Sequence, residues 1–258
     1  MEQFSHLNKN KDYVKTLQEE VGAIPDGVYG PATHQKVLEY YECPVIFHMG
    51  RVVPLTGAEY KINHDLSLYE LADGTKNWAY RKKDPETICV HWGGLNARHC
   101  YRVFNNATGR HVSSHFLVGT NPKTMEYEII QCLDTGLSAY HAGKFNQYSI
   151  GIDICMHPHP KYQTKTKEFY PESTLVDNTF DRVPVSQYMD PGDNFVAFCR
   201  NFLADLRYAV ELDNKPICED NDVYSVKDAA KFSIVGHHNI STKKWDVIPW
   251  AEKLYYGL

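Results

Sequence analysis

The stretch TICVHW, from Thr87 to Trp92, carries the fold prediction, because it is a β-branched and apolar run that contains a histidine near its end. A continuous apolar run of this length is typical of a strand buried in a sheet. The imidazole of His91 would then lie at the rim of that sheet. A second run of the same kind, SIGIDIC from Ser149 to Cys155, carries an aspartate, Asp153, on an otherwise apolar strand.

Further strands and a long helix surround these two runs. The segments SSHFLVG and EYEIIQCL are strand candidates separated by the turn-like TNPKTM, and FSIVGHH is a short strand near the C-terminus. The segment DNFVAFCRNFLADLRYAVEL has apolar residues at helical spacing, which indicates an amphipathic helix of about five turns. Because strands and helices alternate, we predict an α/β fold with a central mixed β-sheet flanked by helices.

The N-terminal region predicts a small α-helical module at residues 1–43. Two segments with apolar residues at helical spacing flank IPDGVYGPAT, which is dense in turn formers. Pro31 suits the first turn of the second helix, where its missing N–H would have had no partner. Residues 44–86 have turns and weak alternation, and we interpret them as a connector with edge strands. The main domain is then expected at residues 87–258.

Residues 156–193 form a long, proline-rich insertion without periodicity in that domain. Structureless loops of this length are uncommon unless they are functional or mobile. Two interpretations stay open, namely a lid over a site and a tolerated surface insertion.

The composition excludes several classes of protein. With 32 acidic and 27 basic residues among 258, the net charge is -5, so no nucleic-acid partner is expected. No apolar run approaches the roughly 18 residues of a membrane helix, and the first residues lack the apolar core of a signal peptide. The seven cysteines include no C-x-x-C pair, which indicates reduced thiols in a reducing compartment. The thirteen histidines are a first indication of metal chemistry.

Two histidines and one aspartate form a candidate zinc site. His91 ends one strand, His237 follows another, and Asp246 comes nine residues after His237. Such a set would leave a fourth position open, as catalytic zinc requires. Each residue alone is a weak signal, because a histidine at a strand end is more often satisfied by its neighbours. His238 is a rival to His237 and would point to the opposite face if the strand continued.

The motifs ICVHWGG, VSSHFLVG, AYHAG, NQYSIGIDI and IVGHHNISTKKWD, taken in this order, resemble those of the zinc-dependent N-acetylmuramoyl-L-alanine amidases. That family includes phage endolysins, bacterial wall-recycling amidases and animal peptidoglycan-recognition proteins, and the resemblance runs from about Thr87 to the C-terminus. The helical segment with LQ followed by DGVYGPAT resembles the peptidoglycan-binding module found beside many cell-wall hydrolases.

The resemblance implies a role for several residues. It puts His91, His237 and Asp246 in the ligand positions of one Zn²⁺ per chain. Lys244 matches a family lysine thought to stabilise an oxyanion, which fits a fixed ammonium near developing negative charge. Asp153 stands where most members have Glu, and is expected to act as a general base despite its shorter side chain.

The resemblance also implies a cleft wall and two departures from the family pattern. It places His115, His141 and Asn146 against substrate, or alternatively as braces of the cleft. Some phage members have a catalytic Tyr before the histidine that is His115 here, whereas this chain has Ser114. The family usually continues D-P-G after the third ligand, and this chain has DVIP, so that loop should turn differently.

The expected function is therefore hydrolysis of the amide bond between N-acetylmuramic acid and L-alanine in peptidoglycan. We expect a monomer, made in the cytoplasm without a signal peptide, that reaches the bacterial wall after release, as phage endolysins do; an autolysin is the close variant. The alternative function is a non-catalytic protein that recognises peptidoglycan without zinc. Members of that kind typically lose one ligand, commonly the third, and here all three positions are filled. A zinc peptidase of the wall would need an H-x-H or H-E-x-x-H signature, for which only HPHP in the insertion offers a match.

Overall fold

The structure, a computed structural model, describes residues 4–56, 58–71, 73–106, 110–255 and 257–258. Its helices are α1 (Lys11–Glu20), α2 (Pro31–Tyr41), α3 (Ala97–Asn105), α4 (Gln163–Phe169), α5 (Asp193–Ala209), α6 (Val226–Ala229) and α7 (Ala251–Tyr255). Its strands are β1 (Val45–His48), β2 (Arg51–Pro54), β3 (Ile62–Asn63), β4 (Trp78–Tyr80), β5 (Thr87–Trp92), β6 (Phe116–Thr120), β7 (Tyr127–Gln131), β8 (Leu137–Ala139), β9 (Ser149–Ile154), β10 (Thr174–Asp177), β11 (Gln187–Asp190) and β12 (Ile234–Gly236).

A six-stranded mixed sheet lies at the centre, in the order β12-β5-β9-β6-β7-β3. The first four strands run parallel to one another, β7 is antiparallel to β6, and β3 is parallel to β7. The predicted α/β fold with a central mixed sheet is thus confirmed. The strand predicted at Thr87–Trp92 is β5 to the residue, and the helix predicted from residue 193 is α5.

The two faces of the sheet bury different side chains, because successive residues of a strand point to opposite sides. Ile88 and Val90 of β5 face the large cluster formed with α5 and α7. Cys89 and His91 point to the other side, where α3 and the segment around Leu68 cover part of the sheet. Polar side chains of β5 and β9 therefore gather on the face opposite to α5.

The parallel strands bring their C-terminal ends to one edge of the sheet. Ligands of open α/β sheets bind outside this edge. β5 ends beside His91, β9 ends just after Asp153, and β12 ends at Gly236, directly before His237. The chain order therefore collects the candidate site residues at one edge.

The N-terminal helices are held together by a buried glutamine. Gln18 is 1% exposed, and its side-chain Nε2 donates to the Asp26 carboxylate, the Val28 carbonyl and the Thr33 hydroxyl at 2.9 to 3.1 Å. Its Oε1 accepts from the Gly27 amide at 2.9 Å. The hydrogen-bonding groups of Gln18, in the LQ segment, are thus paired with groups of the DGVYGPAT segment inside the turn between α1 and α2.

The N-terminal helices share a hydrophobic core with the hairpin β1–β2. Phe47 of β1 packs against Phe4 and Tyr29, with ring centroids 5.7 and 6.0 Å away. The backbone of Phe47 in turn exchanges hydrogen bonds of 2.8 and 2.7 Å with the Gln131 side chain at the end of β7. This core continues across the boundary expected at residue 43. The connector expected at 44–86 contributes β3 to the central sheet and β4 to a ladder with β8.

The insertion at 156–193 has regular structure that its sequence did not predict. It contains α4 and the antiparallel hairpin β10–β11. Tyr188 and Met189 of β11 belong to the large core cluster, and the Met189 carbonyl accepts a hydrogen bond of 3.2 Å from the Trp250 indole. The insertion is therefore packed against the C-terminal part of the domain.

Within the described part of the chain, no helix combines the length and the apolar character needed to cross a bilayer.

Candidate active site

The register between β5 and β9 makes His91 and Asp153 direct neighbours. His91 pairs with Asp153 across the parallel ladder. Both side chains are buried, with His91 5% and Asp153 9% exposed. An imidazole and a carboxylate thus lie side by side at the C-terminal edge of the sheet.

His237 and Asp246 complete a cluster with His91. His237 opens a 3-10 turn after β12, and its ring centroid lies 4.5 Å from that of His91. The Nδ1 atom of His237 lies 3.2 Å from Oδ2 of Asp246. One ligand atom from each of the three residues lies within 4.8 Å of the others. The structure therefore brings together the three residues that were predicted from the sequence to be metal ligands.

This cluster fits a divalent metal. Oδ2 of Asp246 is buried and accepts no hydrogen bond from the described residues, although His237 Nδ1 lies nearby. Burial lowers the pKa of His91 well below its usual value, and the charges of His237, His141 and Lys244 lower it further. A neutral imidazole beside an unpaired carboxylate oxygen is the donor set that Zn²⁺ takes, with His nitrogen and Asp oxygen as ligands.

Cys89, His91 and His141 form a second set whose ligand atoms also lie within 4.8 Å. Cys89 is fully buried. Burial raises the pKa of its thiol, and the nearby Asp246 and Asp153 raise it further. Because thiolate is the ligand form of cysteine, this environment disfavours the second set. The set with Asp246 reaches solvent, since the His237 side chain is 13% exposed.

A directed chain of hydrogen bonds fixes the ring of His91. The Phe145 carbonyl can only accept, so the Ser149 hydroxyl donates to it at 2.9 Å. Ser149 Oγ therefore accepts from Nε2 of His141 at 3.2 Å. Nδ1 of His141 is then the acceptor for Nε2–H of His91 at 2.8 Å. This tautomer leaves the lone pair of His91 Nδ1 available to a metal.

Gly151 makes this arrangement possible because it has no side chain. A Cβ atom at Gly151 would lie 2.7 Å from Cγ of the His141 ring. The ring of His141 thus packs directly against the backbone of β9. Position 151 therefore requires a glycine, because any side chain there would collide with the His141 ring.

His115 braces the strands and offers substrate no free nitrogen. It is fully buried, and its Nδ1 accepts from the Gly151 amide at 2.8 Å. Its Nε2 therefore carries the proton, which it donates to the Leu137 carbonyl at 2.9 Å. Of the two interpretations for His115, this placement favours bracing over contact with substrate, because both ring nitrogens are used within the protein.

Asn146 likewise uses its side-chain oxygen inside the protein. Its Oδ1 accepts from the backbone amides of His141 and Ala142 at 3.1 and 2.6 Å. The side chain therefore shapes the AYHAG loop that carries His141. His141 itself is half-buried, with both ring nitrogens in the hydrogen-bond chain. These contacts favour positioning roles for Asn146 and His141 over the expected contact with substrate.

Arg81 is half-buried and binds several strands near the site. Its guanidinium donates at 2.9 to 3.1 Å to four backbone carbonyls, those of Thr135, Leu137, Asn146 and Ser149. Burial lowers its pKa to about 10. One side chain thus ties β8, the turn around Asn146 and the start of β9 together.

Asp153 has the properties of a general base held in an apolar place. Its pKa is raised to about 7, chiefly by burial. The hydrogen bond from Ser114 and the charge of Lys244 oppose this rise, and the charge of Asp246 contributes to it. A carboxyl group with a pKa near neutrality can both accept and return a proton. Lys244 is exposed, yet its charge acts on both Asp153 and His91.

The loop from His237 to Asp246 is held from two sides. His238 is fully buried and its Nδ1 donates to the Asp246 carbonyl at 2.5 Å. From the insertion, Nη2 of Arg182 donates to the carbonyls of His238, Ser241 and Lys244 at 2.9, 3.2 and 3.3 Å. The rival His238 thus supports the loop, and His237 faces the cluster.

The DVIP departure gives the loop a strained residue. Val247 has φ 53°, a left-handed conformation that costs a β-branched residue roughly 1–3 kcal/mol. It is fully buried, so packing holds it there. Pro249 lies in the 3-10 turn Ile248–Trp250, which shows how the chain turns without the usual D-P-G.

Comparison with known proteins gives the family. Residues 81–249, about two thirds of the chain, match the sequence profile of N-acetylmuramoyl-L-alanine amidase. The chain belongs to the N-acetylmuramoyl-L-alanine amidase family. The Ph2119 endolysin from Thermus scotoductus MAT2119 bacteriophage Ph2119 matches the amidase with 16% identity over 71% of this chain and 94% of that chain, at a TM-score of 0.34. No curated protein sequence matches.

Three residues that position the site escaped the sequence analysis. Ser149 could have been found, because it is on the same face of the predicted strand as Gly151 and Asp153. Arg81 begins the charged run RKK, which is usually solvated. Arg182 lies in the insertion without periodicity, and its backbone acceptors have no sequence signature.

Gly151→Ala should weaken metal binding, because the new Cβ displaces the His141 ring and breaks its bond to His91. We expect zinc affinity to fall about 10–100-fold, measured by competition with a chromophoric chelator. Gly30→Ala is the control, because a Cβ there meets no atom within 4 Å. Equal zinc affinity of Gly151→Ala and the unmodified amidase would contradict this role of the glycine.

The buried Asp153 should make the metal-free amidase less stable as the pH rises. Its pKa of about 7 lies above that of the unfolded chain, so the folded state binds more protons between the two values. Stability is lost as the pH rises through the folded pKa, by about 2.5 kcal/mol between pH 5 and pH 8. In chelated protein, Asp153→Asn should therefore gain more stability at pH 8 than at pH 5. Urea unfolding at both pH values measures this difference. An equal gain in stability at pH 5 and pH 8 would show that the pKa of the Asp153 carboxyl group is not raised in the folded protein.

Proposed function

We propose that the amidase hydrolyses the amide bond between N-acetylmuramic acid and L-alanine in peptidoglycan, with one Zn²⁺ held by His91, His237 and Asp246. The observation that carries this proposal is the cluster of these three residues at the C-terminal edge of the sheet. There a buried oxygen of Asp246 accepts no hydrogen bond from the described residues and lies 3.2 Å from Nδ1 of His237. The family membership supports the same bond as substrate.

A zinc ion at this site would polarise the scissile carbonyl and lower the pKa of water to roughly 7. Asp153 lies next to His91 and accepts the proton of the attacking water. It then delivers this proton to the nitrogen of the leaving L-alanine, as a group with a pKa near neutrality can. Lys244 places an ammonium beside the negative charge that develops on the carbonyl oxygen.

We infer positioning roles for the remaining residues, which the hydrogen bonds described above support. The chain from His91 through His141 to Ser149 orients one imidazole. Arg182 and His238 hold the loop that carries the other two ligands. A fixed arrangement of this kind reduces the reorganisation needed in the transition state, since the charged groups already face the reacting atoms.

We further propose that the amidase acts in lysis of the bacterial wall, as an endolysin or an autolysin. Its seven cysteines are all free and six of them are buried, which supports synthesis in a reducing compartment. A purely recognising protein is the alternative. The enzyme is favoured because Asp246 occupies the third ligand position and because Asp153 has a pKa suited to a general base.

Digestion of purified peptidoglycan tests the function. We expect new L-alanine amino termini without new reducing sugar ends, and loss of the reaction on addition of a chelator. Asp246→Ala should abolish the activity, and Asp153→Asn should lower kcat about 10²–10⁴-fold. Asp213→Ala, at an exposed position, is the control and should keep full activity.

The same assay separates the alternatives. Reducing ends without amino termini would contradict amide hydrolysis. Activity that survives both the chelator and Asp246→Ala would contradict the metal assignment. Binding of peptidoglycan without any cleavage would favour the recognition protein.

A further inference from the structure

A cleft of about 280 Å³ lies between the N-terminal segment that precedes α1, the segment from Tyr69 to Tyr80, and Leu137 of β8. Its exposed floor is the strand β4, where Trp78 and Tyr80 point to the same face because they are two residues apart. Their rings meet edge to face, with centroids 5.1 Å apart. Tyr80 is 64% exposed. The exposed Tyr80 ring and the partly buried Trp78 ring thus place aromatic surface in a concave site.

An ammonium group lies over one face of each ring. Nζ of Lys9, from the N-terminal region, lies 4.7 Å from the centre of the Tyr80 ring, and Nζ of Lys76 lies 5.2 Å from that of Trp78. Glu70 also lines the cleft. A cleft with aromatic faces and a few polar groups is the usual form of a site for small ligands.

The aromatic groups offer ring surface more than hydrogen bonds. The indole N–H of Trp78 already donates to the Tyr69 carbonyl at 2.9 Å. A ligand that suits this surface needs an apolar face and a polar rim. A pyranose ring has this character, because its C–H groups form an apolar face and its hydroxyl and acetamido groups project around the edge.

The strand β4 that lines the cleft lies close to the candidate active site. Trp78 pairs with Ala139 in the ladder between β4 and β8, and His141 follows Ala139 by two residues, which span at most about 7 Å of chain. Tyr80 lies further from the site along the same ladder. An extended polymer that enters the active site can therefore continue over these rings.

We propose that this cleft binds a sugar residue of the glycan strand, adjacent to the muramic acid whose stem peptide is cleaved. The proposal rests on peptidoglycan being the substrate, and it extends that function to a site outside the catalytic residues. It also gives the N-terminal region a role, because Lys9 closes one side of the cleft.

Binding of glycan strands freed of stem peptides tests the proposal without any hydrolysis. Titration calorimetry should show the Kd of these strands weakened about tenfold by Tyr80→Ala, with Tyr80→Phe unchanged because it keeps the ring. Tyr208→Ala is the matched control, since Tyr208 is 72% exposed on α5, and it should bind as the unmodified amidase does. Thermal unfolding of each variant verifies the fold.

Two outcomes would overturn the proposal. One is equal affinity of Tyr80→Ala and Tyr208→Ala for the strands. The other is that free stem peptide binds, and loses affinity with Tyr80→Ala, while the strands do not. Failure of the function itself is seen separately, as the absence of new L-alanine amino termini in the peptidoglycan digest.

Discussion

The parallel pairing of β5 with β9 is the constraint on which the site depends. It places His91 opposite Asp153 and directs both to the face away from α5. A shift of one residue in either strand would turn its polar side chains into the apolar cluster. The alternation of Ile88 and Val90 with Cys89 and His91 prevents such a shift, because the apolar residues stabilise only one register. The hydrophobic core thus determines where the chemistry can occur.

Around this pair, the protein satisfies buried polar groups by directed hydrogen bonds to backbone. The chain from His91 ends on the Phe145 carbonyl, Arg81 binds four carbonyls, and Arg182 binds three carbonyls of the ligand loop. A buried donor without a partner would cost about 1–3 kcal/mol. Oδ2 of Asp246 accepts no hydrogen bond from the described residues and lies 3.2 Å from Nδ1 of His237, so this buried oxygen is available to a metal ion.

The sequence predicted those parts of the fold that depend on local pattern. The apolar runs predicted β5 to the residue and β9 with its end one residue too late, and helical spacing predicted α5. The structure also brings His91, His237 and Asp246 together, as the motifs suggested. What the sequence did not predict depends on distant backbone groups. Tyr188 and Met189 of the insertion pack against the core, and such long-range contacts cannot be predicted from the periodicity of the sequence.

The central claim is that His91, through Nδ1, binds one zinc ion together with His237 and Asp246. A crystal structure of the zinc-loaded amidase with anomalous scattering at the zinc edge tests it most directly. We expect a single anomalous peak in contact with His91 Nδ1, His237 and Asp246, with the hydrogen bond between His91 Nε2 and His141 intact. A peak bound by Cys89 and His141, or zinc on Nε2 of His91, would contradict it.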